Sequence, residues 1–193
     1  TNFALGHSIS IGGNTTTTNM VGLFEISGGE LKTRTGVAVG NNGTFSQIGS
    51  VTTQIRLGGA NADAGWFGLS KDGLWKAAID GGGITPVFVE AQTNTSTLNP
   101  WVELQLGGIL DLSFGASVTP YAGTWTLLEL EGQDIVDSGL ALAAGDSAAG
   151  WSFSVDNSGA NGLIKATYTV VPEPSAAMLG GLGLFAILRR RRD

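Results

Sequence analysis

The sequence contains no cysteine among its 193 residues and a single histidine, His7. Because cysteine is absent, the chain can form no disulfide bond, no zinc–thiolate site and no cysteine nucleophile. No Ser-His-Asp triad and no histidine metal site can be completed around His7, so we interpret it as a surface residue near the N-terminus. We predict no catalytic residue and no cofactor, and we expect that the protein is not an enzyme.

Basic residues are also scarce, with 10 lysines and arginines against 16 acidic residues. Four of the arginines stand together at 189–192. When these four arginines are left out together with Glu173 and Asp193, the rest of the chain has 6 basic and 14 acidic residues, a net charge of −8. Such a surface repels nucleic acids and anionic polysaccharides. We therefore predict no nucleic-acid partner.

Metal-binding and nucleotide-binding motifs are missing too. Five acidic residues close together in the sequence could supply oxygen ligands to calcium: Glu129, Glu131, Asp134, Asp137 and Asp146. They show no Asp-x-Asp spacing, so we interpret them as solvated loop charges and predict no metal site. The glycine-rich stretch 80–83 lacks the Lys-Ser/Thr of a phosphate-binding loop. No pair of carboxylates stands out as the acid and base of a glycoside hydrolase.

What the sequence does have is glycine, 31 residues, beside abundant threonine, asparagine and valine. This composition favours short strands and tight turns, and it predicts an all-β fold. The motif Gly-x-Phe recurs with its phenylalanines 21 and 22 residues apart, at Phe24, Phe45 and Phe67. A second element, apolar-x-apolar followed by Gly or Asn, recurs at 9–13, 37–41, 55–59 and, weakly, 77–81.

A period near twenty residues, built from short strands and glycine corners, is typical of a β-solenoid. Stacked at ~4.8 Å per coil, such repeats bury their inward side chains in columns. The predicted columns are Phe24, Phe45 and Phe67, and Val39, Leu57 and Ile79. Loops are predicted between the repeated elements, at 15–19 and 60–64. The alternative is an antiparallel sandwich whose strands recur about every ten residues.

From residue 84 to residue 171 the period fades and longer alternating strands follow. They are predicted at 101–106, 109–114, 124–130, 151–155 and 163–170, with a loop and at most a short helix at 134–149. A solenoid needs its open end covered because bare strand edges pair with other chains, so we interpret this half as a C-terminal cap. Trp125 and Trp151 are predicted to fill the core of the cap. Trp66 and Trp75, at a corner and a strand start, are the candidates for an exposed sugar-stacking platform.

Residues 172–193 have a composition of their own. Pro172, Glu173 and Pro174 precede an uncharged run at 176–188, and four arginines close it. In water this run would expose a large apolar patch, so a membrane is its natural solvent. At ~1.5 Å per residue it spans ~20 Å, short of a ~30 Å hydrocarbon core, and snorkelling arginines and local thinning reduce the difference. Arginine-rich ends stay cytoplasmic, which places everything before Pro172 on the far side.

This ending resembles the PEP-CTERM sorting signal of Gram-negative bacteria, which has the same three parts in the same order. The resemblance implies that exosortase, a membrane-embedded, cysteine-dependent transpeptidase, recognises the motif, cuts near it and releases or transfers the body. It implies three assignments: sorting motif Pro172, Glu173 and Pro174; membrane anchor Ala176, Leu179, Leu182, Leu184, Phe185, Ile187 and Leu188; basic stop Arg189, Arg190, Arg191 and Arg192. The alternatives are a plain C-terminal anchor and a helix of a soluble protein.

The repeats are similar to those shared by autotransporter passenger domains and PEP-CTERM proteins. This resemblance covers about residues 9–82 and implies a right-handed parallel β-helix. The predicted organisation is β-helix (β-solenoid) coils at 1–83, a β-rich cap at 84–171, and a sorting signal with a short C-terminal transmembrane helix at 172–193. A translocated chain needs a signal peptide, and Thr1 does not begin one, so we expect a signal peptide and further coils upstream.

Together, the resemblance and the orientation imply an exported structural or adhesive protein. We expect it to be anchored transiently in the inner membrane and then placed on the cell surface or in the extracellular matrix. The implied partners are exosortase, the inner membrane and, as a further interaction, exopolysaccharide. Two alternatives stay open: a carbohydrate-binding module that acts on exopolysaccharide, and a β-helical polysaccharide-degrading enzyme, which the acidic, lysine-poor composition disfavours.

Overall fold

The computed structural model describes residues 2–5, 9–13, 20–33, 36–55, 65–90, 101–105 and 107–171. In these residues nearly all regular structure is β-strand, and the only helix is the four-residue α1 (Asp146–Ala149). The predicted all-β class is confirmed. The sorting motif, the transmembrane helix predicted at 176–188, the basic stop and His7 lie outside the described residues. Within the described part of the chain, no helix has the length and apolar character needed to cross a membrane.

Seventeen strands form three sheets in this part of the chain. Sheet I has the spatial order β1 (Asn2–Leu5), β4 (Glu30–Thr33), β7 (Thr52–Ile55), β10 (Val87–Val89), β13 (Gly123–Leu130), β17 (Gly162–Tyr168), β16 (Trp151–Asp156). Sheet II has the order β14 (Val136–Asp137), β11 (Trp101–Leu104), β8 (Trp66–Leu69), β5 (Gly36–Val39), β2 (Ile9–Ile11). Sheet III has the order β15 (Ala141–Leu142), β12 (Ile109–Phe114), β9 (Leu74–Ile79), β6 (Gly43–Ile48), β3 (Gly22–Ile26).

The chain visits the three sheets in turn, and each strand from β1 to β12 pairs in parallel with the strand three positions later in sequence. Alternate side chains of a strand point to one face. In β9, for example, Trp75, Ala77 and Ile79 are fully buried. The inward side chains of the three sheets form one hydrophobic core.

The first predicted column is correct for two of its three members. Phe24 pairs with Phe45 in sheet III, but the next residue in that sheet is Trp75. Phe67 lies in sheet II, where it pairs with Val37, so its predicted place in the column was wrong. The physical reason is the spacing: successive strands of sheet III begin at residues 22, 43 and 74, a step of 21 and then one of 31 residues. The third Gly-x-Phe therefore starts a strand of a different sheet.

The second predicted column was also wrong. Val39 pairs with Leu69 in sheet II, whereas Ile79 pairs with Phe114 in sheet III. Leu57, the predicted middle member, lies outside the described residues. Val39 and Ile79 are both fully buried, so the pattern located core residues correctly but assigned them to the wrong neighbours.

Among the described residues, four polar side chains are buried in the core: Thr33, Ser46, Gln47 and Thr53. The side-chain amide of Gln47 donates a hydrogen bond to the carbonyl oxygen of Thr85. Thr53 stands between Leu31 and Val87 in sheet I, and its hydroxyl has no hydrogen-bond partner in the described part of the chain. A buried hydroxyl without a partner costs about 1–3 kcal/mol, so Thr53 is a weak point of the core.

The parallel order gives way to an antiparallel one at the end of sheet I. After β14, β15 and α1, strands β16 and β17 form an antiparallel pair, and β17 also pairs antiparallel with β13. The strands predicted between residues 101 and 170 are all present, the last as Gly162–Tyr168. Parallel pairing continues past Gly83, the predicted end of the coils, as far as Leu142. The division at residue 83 stays a prediction.

Candidate functional site

Five aromatic side chains meet where the chain leaves its last strand, and we call this group the aromatic corner: Phe114, Tyr121, Trp125, Trp151 and Tyr168. Phe114 is at the centre, with its ring centroid 5.0 Å from that of Trp151 and 5.0 Å from that of Tyr168. The rings of Trp151 and Tyr168 are 4.9 Å apart, and those of Tyr121 and Trp125 are 5.5 Å apart. Contacts of this kind stabilise by about 0.5–1.5 kcal/mol each beyond burial.

Strand register brings these rings together. Trp151 of β16 pairs with Tyr168 of β17, and Phe114 ends β12 next to the corner that leads into β13. Gly123 faces Tyr168 across the β13–β17 pair. A Cβ at Gly123 would lie 2.7 Å from Cζ2 of Trp125, so only glycine leaves room for the indole there.

The aromatic corner has a buried side and an open side. Trp151 is only 5% exposed, whereas Tyr121 is 43% exposed. Beside it the chain leaves β17 through Val170 and Val171, which are 55% and 49% exposed. The N–H of Thr169 donates to the carbonyl oxygen of Gly150 at 2.9 Å, which fixes this exit directly next to the start of β16. Residue 172, the first of the predicted sorting motif, therefore follows immediately after the aromatic corner.

No charged residue occurs in the three segments that build the corner. These segments are 112–128, 147–155 and 166–171. Their polar groups are hydroxyls, and the hydroxyl oxygens of Thr124 and Thr167 are 2.9 Å apart on the exposed face of sheet I. Lys165 and Asp156 lie farther along the same face of sheet I, so the uncharged area is confined to the end of the sheet at Tyr168.

Ion pairing and hydrogen bonds hold the β16–β17 pair in place. Nζ of Lys165 lies 2.6 Å from Oδ2 of Asp156. The hydrogen bond from Lys165, followed by the hydroxyl and backbone N–H of Ser158, holds the pKa of Asp156 well below its usual range. Asn157 exchanges two hydrogen bonds with the backbone of Ile135, at 3.0 and 3.1 Å. These bonds tie the turn of the pair to the preceding loop.

Two of the acidic residues considered as calcium ligands accept hydrogen bonds from backbone N–H groups instead. Asp137 accepts hydrogen bonds from the N–H groups of Gly139 and Leu140, at 2.9 and 2.8 Å. Asp146 accepts one from the N–H of Leu112 at 2.9 Å, and burial raises the pKa of its carboxyl. Across the described ranges, no group of three histidines, cysteines or acidic residues comes close enough to hold a metal ion.

The proposed tryptophan platform is not formed. Trp75 is fully buried, and its ring lies 5.2 Å from that of Phe67. The prediction that Trp75 could be exposed was wrong because its side chain, near the start of β9, points into the core. Trp66 is partly exposed, and its indole occupies the space that a Cβ at Gly36 would need. Trp151 is buried and Trp125 packs against the core, as predicted.

Sequence reasoning missed the aromatic corner as a unit. It assigned Trp125 and Trp151 to the cap core but did not bring Phe114 and Tyr121 to them. The available signal was the absence of charge from three separate segments. The sequence-predicted sorting motif, anchor and basic stop follow directly after this site and lie outside the described residues.

Comparison with known families identifies the C-terminal segment. Residues 170–192 match a family model described as the PEP-CTERM protein-sorting motif. No curated protein and no solved structure matches the chain. The matched range contains Pro172, Glu173 and Pro174, the apolar run and the arginines. The motif supports export of the protein, its sorting at the membrane and its processing by exosortase.

Proposed function

We propose that this protein is a structural or adhesive component of the cell surface or extracellular matrix of a Gram-negative bacterium. The observation that carries the proposal is the sorting motif at residues 170–192, which follows a β-rich body that ends at an exposed Val171. A protein that carries its own sorting signal and membrane anchor acts outside the cytoplasm. Its body then contributes shape and surface rather than a reaction, and we propose that it is not an enzyme.

The C-terminal segment acts in three steps in this proposal. Residues 176–188 insert into the inner membrane, and Arg189–Arg192 stay on the cytoplasmic side. Pro172 and Pro174 keep the motif extended, because proline fixes its own φ and disfavours the α conformation of the residue before it. An extended segment binds a protease cleft with little loss of conformational entropy. Exosortase then cuts near the motif and separates the body from the anchor.

The body, in the same proposal, is a right-handed parallel β-helix with a C-terminal cap. The support for the coils is the parallel pairing of strands three apart in all three sheets, and the support for the cap is the antiparallel β16–β17 pair at one end of sheet I. Such a body is stiff along the stacking direction because each set of strands hydrogen-bonds to the next. Stiffness of this kind suits a stalk or a matrix element.

Replacing Glu173 by alanine tests the proposed function. We expect Glu173→Ala to leave the full-length chain in the inner membrane, whereas the wild-type protein reaches the surface fraction with its C-terminal segment removed. Mass spectrometry of the C-terminal peptide in each fraction is the measurement. Asp134→Ala, which removes an exposed acidic residue of the body, is the matched control and should be processed normally. Normal processing of Glu173→Ala would exclude exosortase recognition through this motif.

A further inference from the structure

We propose that the aromatic corner docks on the lipid headgroups of the membrane that holds the anchor, with its uncharged face toward a zwitterionic surface. In this position it holds the sorting motif at a fixed height above the membrane. The proposal rests on the proposed function, because it requires residues 176–188 to be seated in the bilayer. It adds a lipid contact that is made by the folded body itself.

The length of chain between the body and the anchor restricts where the corner can lie. Only residues 172–175 separate Val171 from Ala176. At no more than ~3.5 Å per residue, the five steps from Val171 to Ala176 cover at most ~17 Å. The headgroup layer on one side of a bilayer is itself about 5–8 Å thick. The exposed exit at Val170 and Val171 must therefore lie close to the headgroups.

The side chains at this exit suit a membrane–water interface. Tyr121 is 43% exposed, and Val170 and Val171 are about half exposed. Tyrosine and tryptophan concentrate at the headgroup level because an apolar ring and a polar tip match the two sides of that layer. Trp125 and Phe114 support Tyr121 from behind, with ring centroids at 5.5 and 5.6 Å, so the exposed ring is held rigidly.

The aromatic corner also differs in charge from most of the body. The body without its C-terminal segment carries a net charge of −8. An acidic surface gains no electrostatic attraction from zwitterionic headgroups and is repelled by anionic lipids. The segments 112–128, 147–155 and 166–171 contain no charged residue. Residues 2–24 carry no charge either, but the anchor follows Val171, so the aromatic corner is the uncharged part that is held next to the bilayer.

A polysaccharide is the other class of ligand for an exposed aromatic group, and the ring geometry disfavours it. Sugars stack on open, flat ring faces. Here the plane of Tyr121 is inclined by 42° to Phe114 and by 76° to Trp125. The rings therefore present no shared flat platform, whereas a single inclined tyrosine still inserts its ring among headgroups.

The absence of native cysteine allows a direct test with one fluorescent label. Ala122→Cys, at an exposed position next to Tyr121, is labelled with an environment-sensitive fluorophore. The full chain, produced in a host that lacks exosortase, is reconstituted into phosphatidylcholine vesicles. Leu23→Cys is the matched control, because Leu23 is 69% exposed and lies on β3, at the opposite end of sheet III from β15. Nitroxide-headgroup lipids serve as the quencher.

We expect severalfold stronger quenching and a larger blue shift at position 122 than at position 23. Tyr121→Ser in the Ala122→Cys background should reduce both signals while the protein still floats with the vesicles. Equal quenching at 122 and 23 in floating protein would overturn the docking proposal and leave the anchor intact. Failure to float would instead overturn the proposed anchoring, and docking with it. A response of label 122 to soluble exopolysaccharide, but not to lipid, would assign the site to a glycan.

Discussion

Phe24 and Phe45 stack with their ring centroids 6.2 Å apart and their planes inclined by only 14°, one strand apart in sheet III. Phe45 also contacts Phe67 of sheet II, at 6.0 Å and 66°. One fully buried ring thus joins two neighbouring strands of one sheet and links that sheet to another. Phe45 therefore packs at the junction between sheets II and III.

Replacing Phe45 by alanine should lower the free energy of unfolding by about 3–5 kcal/mol, because a fully buried aromatic side chain leaves a cavity. Urea unfolding followed by circular dichroism measures the change. Leu23→Ala is the control in the neighbouring strand: Leu23 is 69% exposed, and the expected change is within about 0.5 kcal/mol. An unchanged melting temperature for Phe45→Ala would contradict its place in the core.

Replacing Thr53 by valine should raise the free energy of unfolding by about 1 kcal/mol, because it removes a buried hydroxyl without a partner and keeps the shape of the side chain. Thermal and urea unfolding of the variant give the measurement. Thr52→Val, one position earlier in β7 and not buried, is the control, and it should change stability less. A destabilised Thr53→Val would mean that the hydroxyl has a hydrogen-bond partner after all.

Acid should weaken the β16–β17 pair through Asp156. The folded-state pKa of its carboxyl is lowered chiefly by the hydrogen bond from Lys165, so the ion pair contributes fully above the unfolded pKa of about 3.9. That contribution is lost as the pH falls through the lower folded value. We expect Asp156→Asn to lose less stability than the wild type between about pH 6 and pH 3.

Urea unfolding at both pH values measures this difference. The control Asp134→Asn keeps the Asp156–Lys165 pair and should follow the wild type. Both variants keep Asp146, whose raised pKa acts in the opposite direction, so its effect cancels in the comparison. Parallel pH profiles for Asp156→Asn and the wild type would show that the ion pair does not contribute.

The sequence predicted most of the strands because period-two alternation is a local property. In β17, Ile164 and Ala166 alternate with Lys165 and Thr167, and Ile164 and Ala166 are fully buried. Val170 continues the same alternation in the sequence, but β17 ends at Tyr168 and Val170 is 55% exposed. Alternation predicts the face to which a side chain points only as far as the strand continues.

Register could not be predicted in the same way, because it depends on the number of residues between strands. The regular spacing of Phe24, Phe45 and Phe67 suggested one repeat. The segment between β7 and β8 is longer than the one between β4 and β5, however, and Phe67 therefore falls in sheet II. Trp75 was correctly placed near the start of a strand, but the sequence did not show that it is one of the inward residues of that strand. The aromatic corner depends on contacts between β12, β13, β16 and β17, which no local pattern encodes.

The pairing of each strand with the one three positions later also determines how the body can fold during export. The start of β7 is 22 residues after that of β4, and the start of β13 is 36 residues after that of β10. A chain that crosses a membrane from its N-terminus can therefore add strands in order as they emerge, without waiting for distant segments. The antiparallel β16–β17 pair is the last part of the described body to emerge, and the segment that matches the sorting motif follows it directly. The order along the chain thus places completion of the body next to the arrival of the sorting motif.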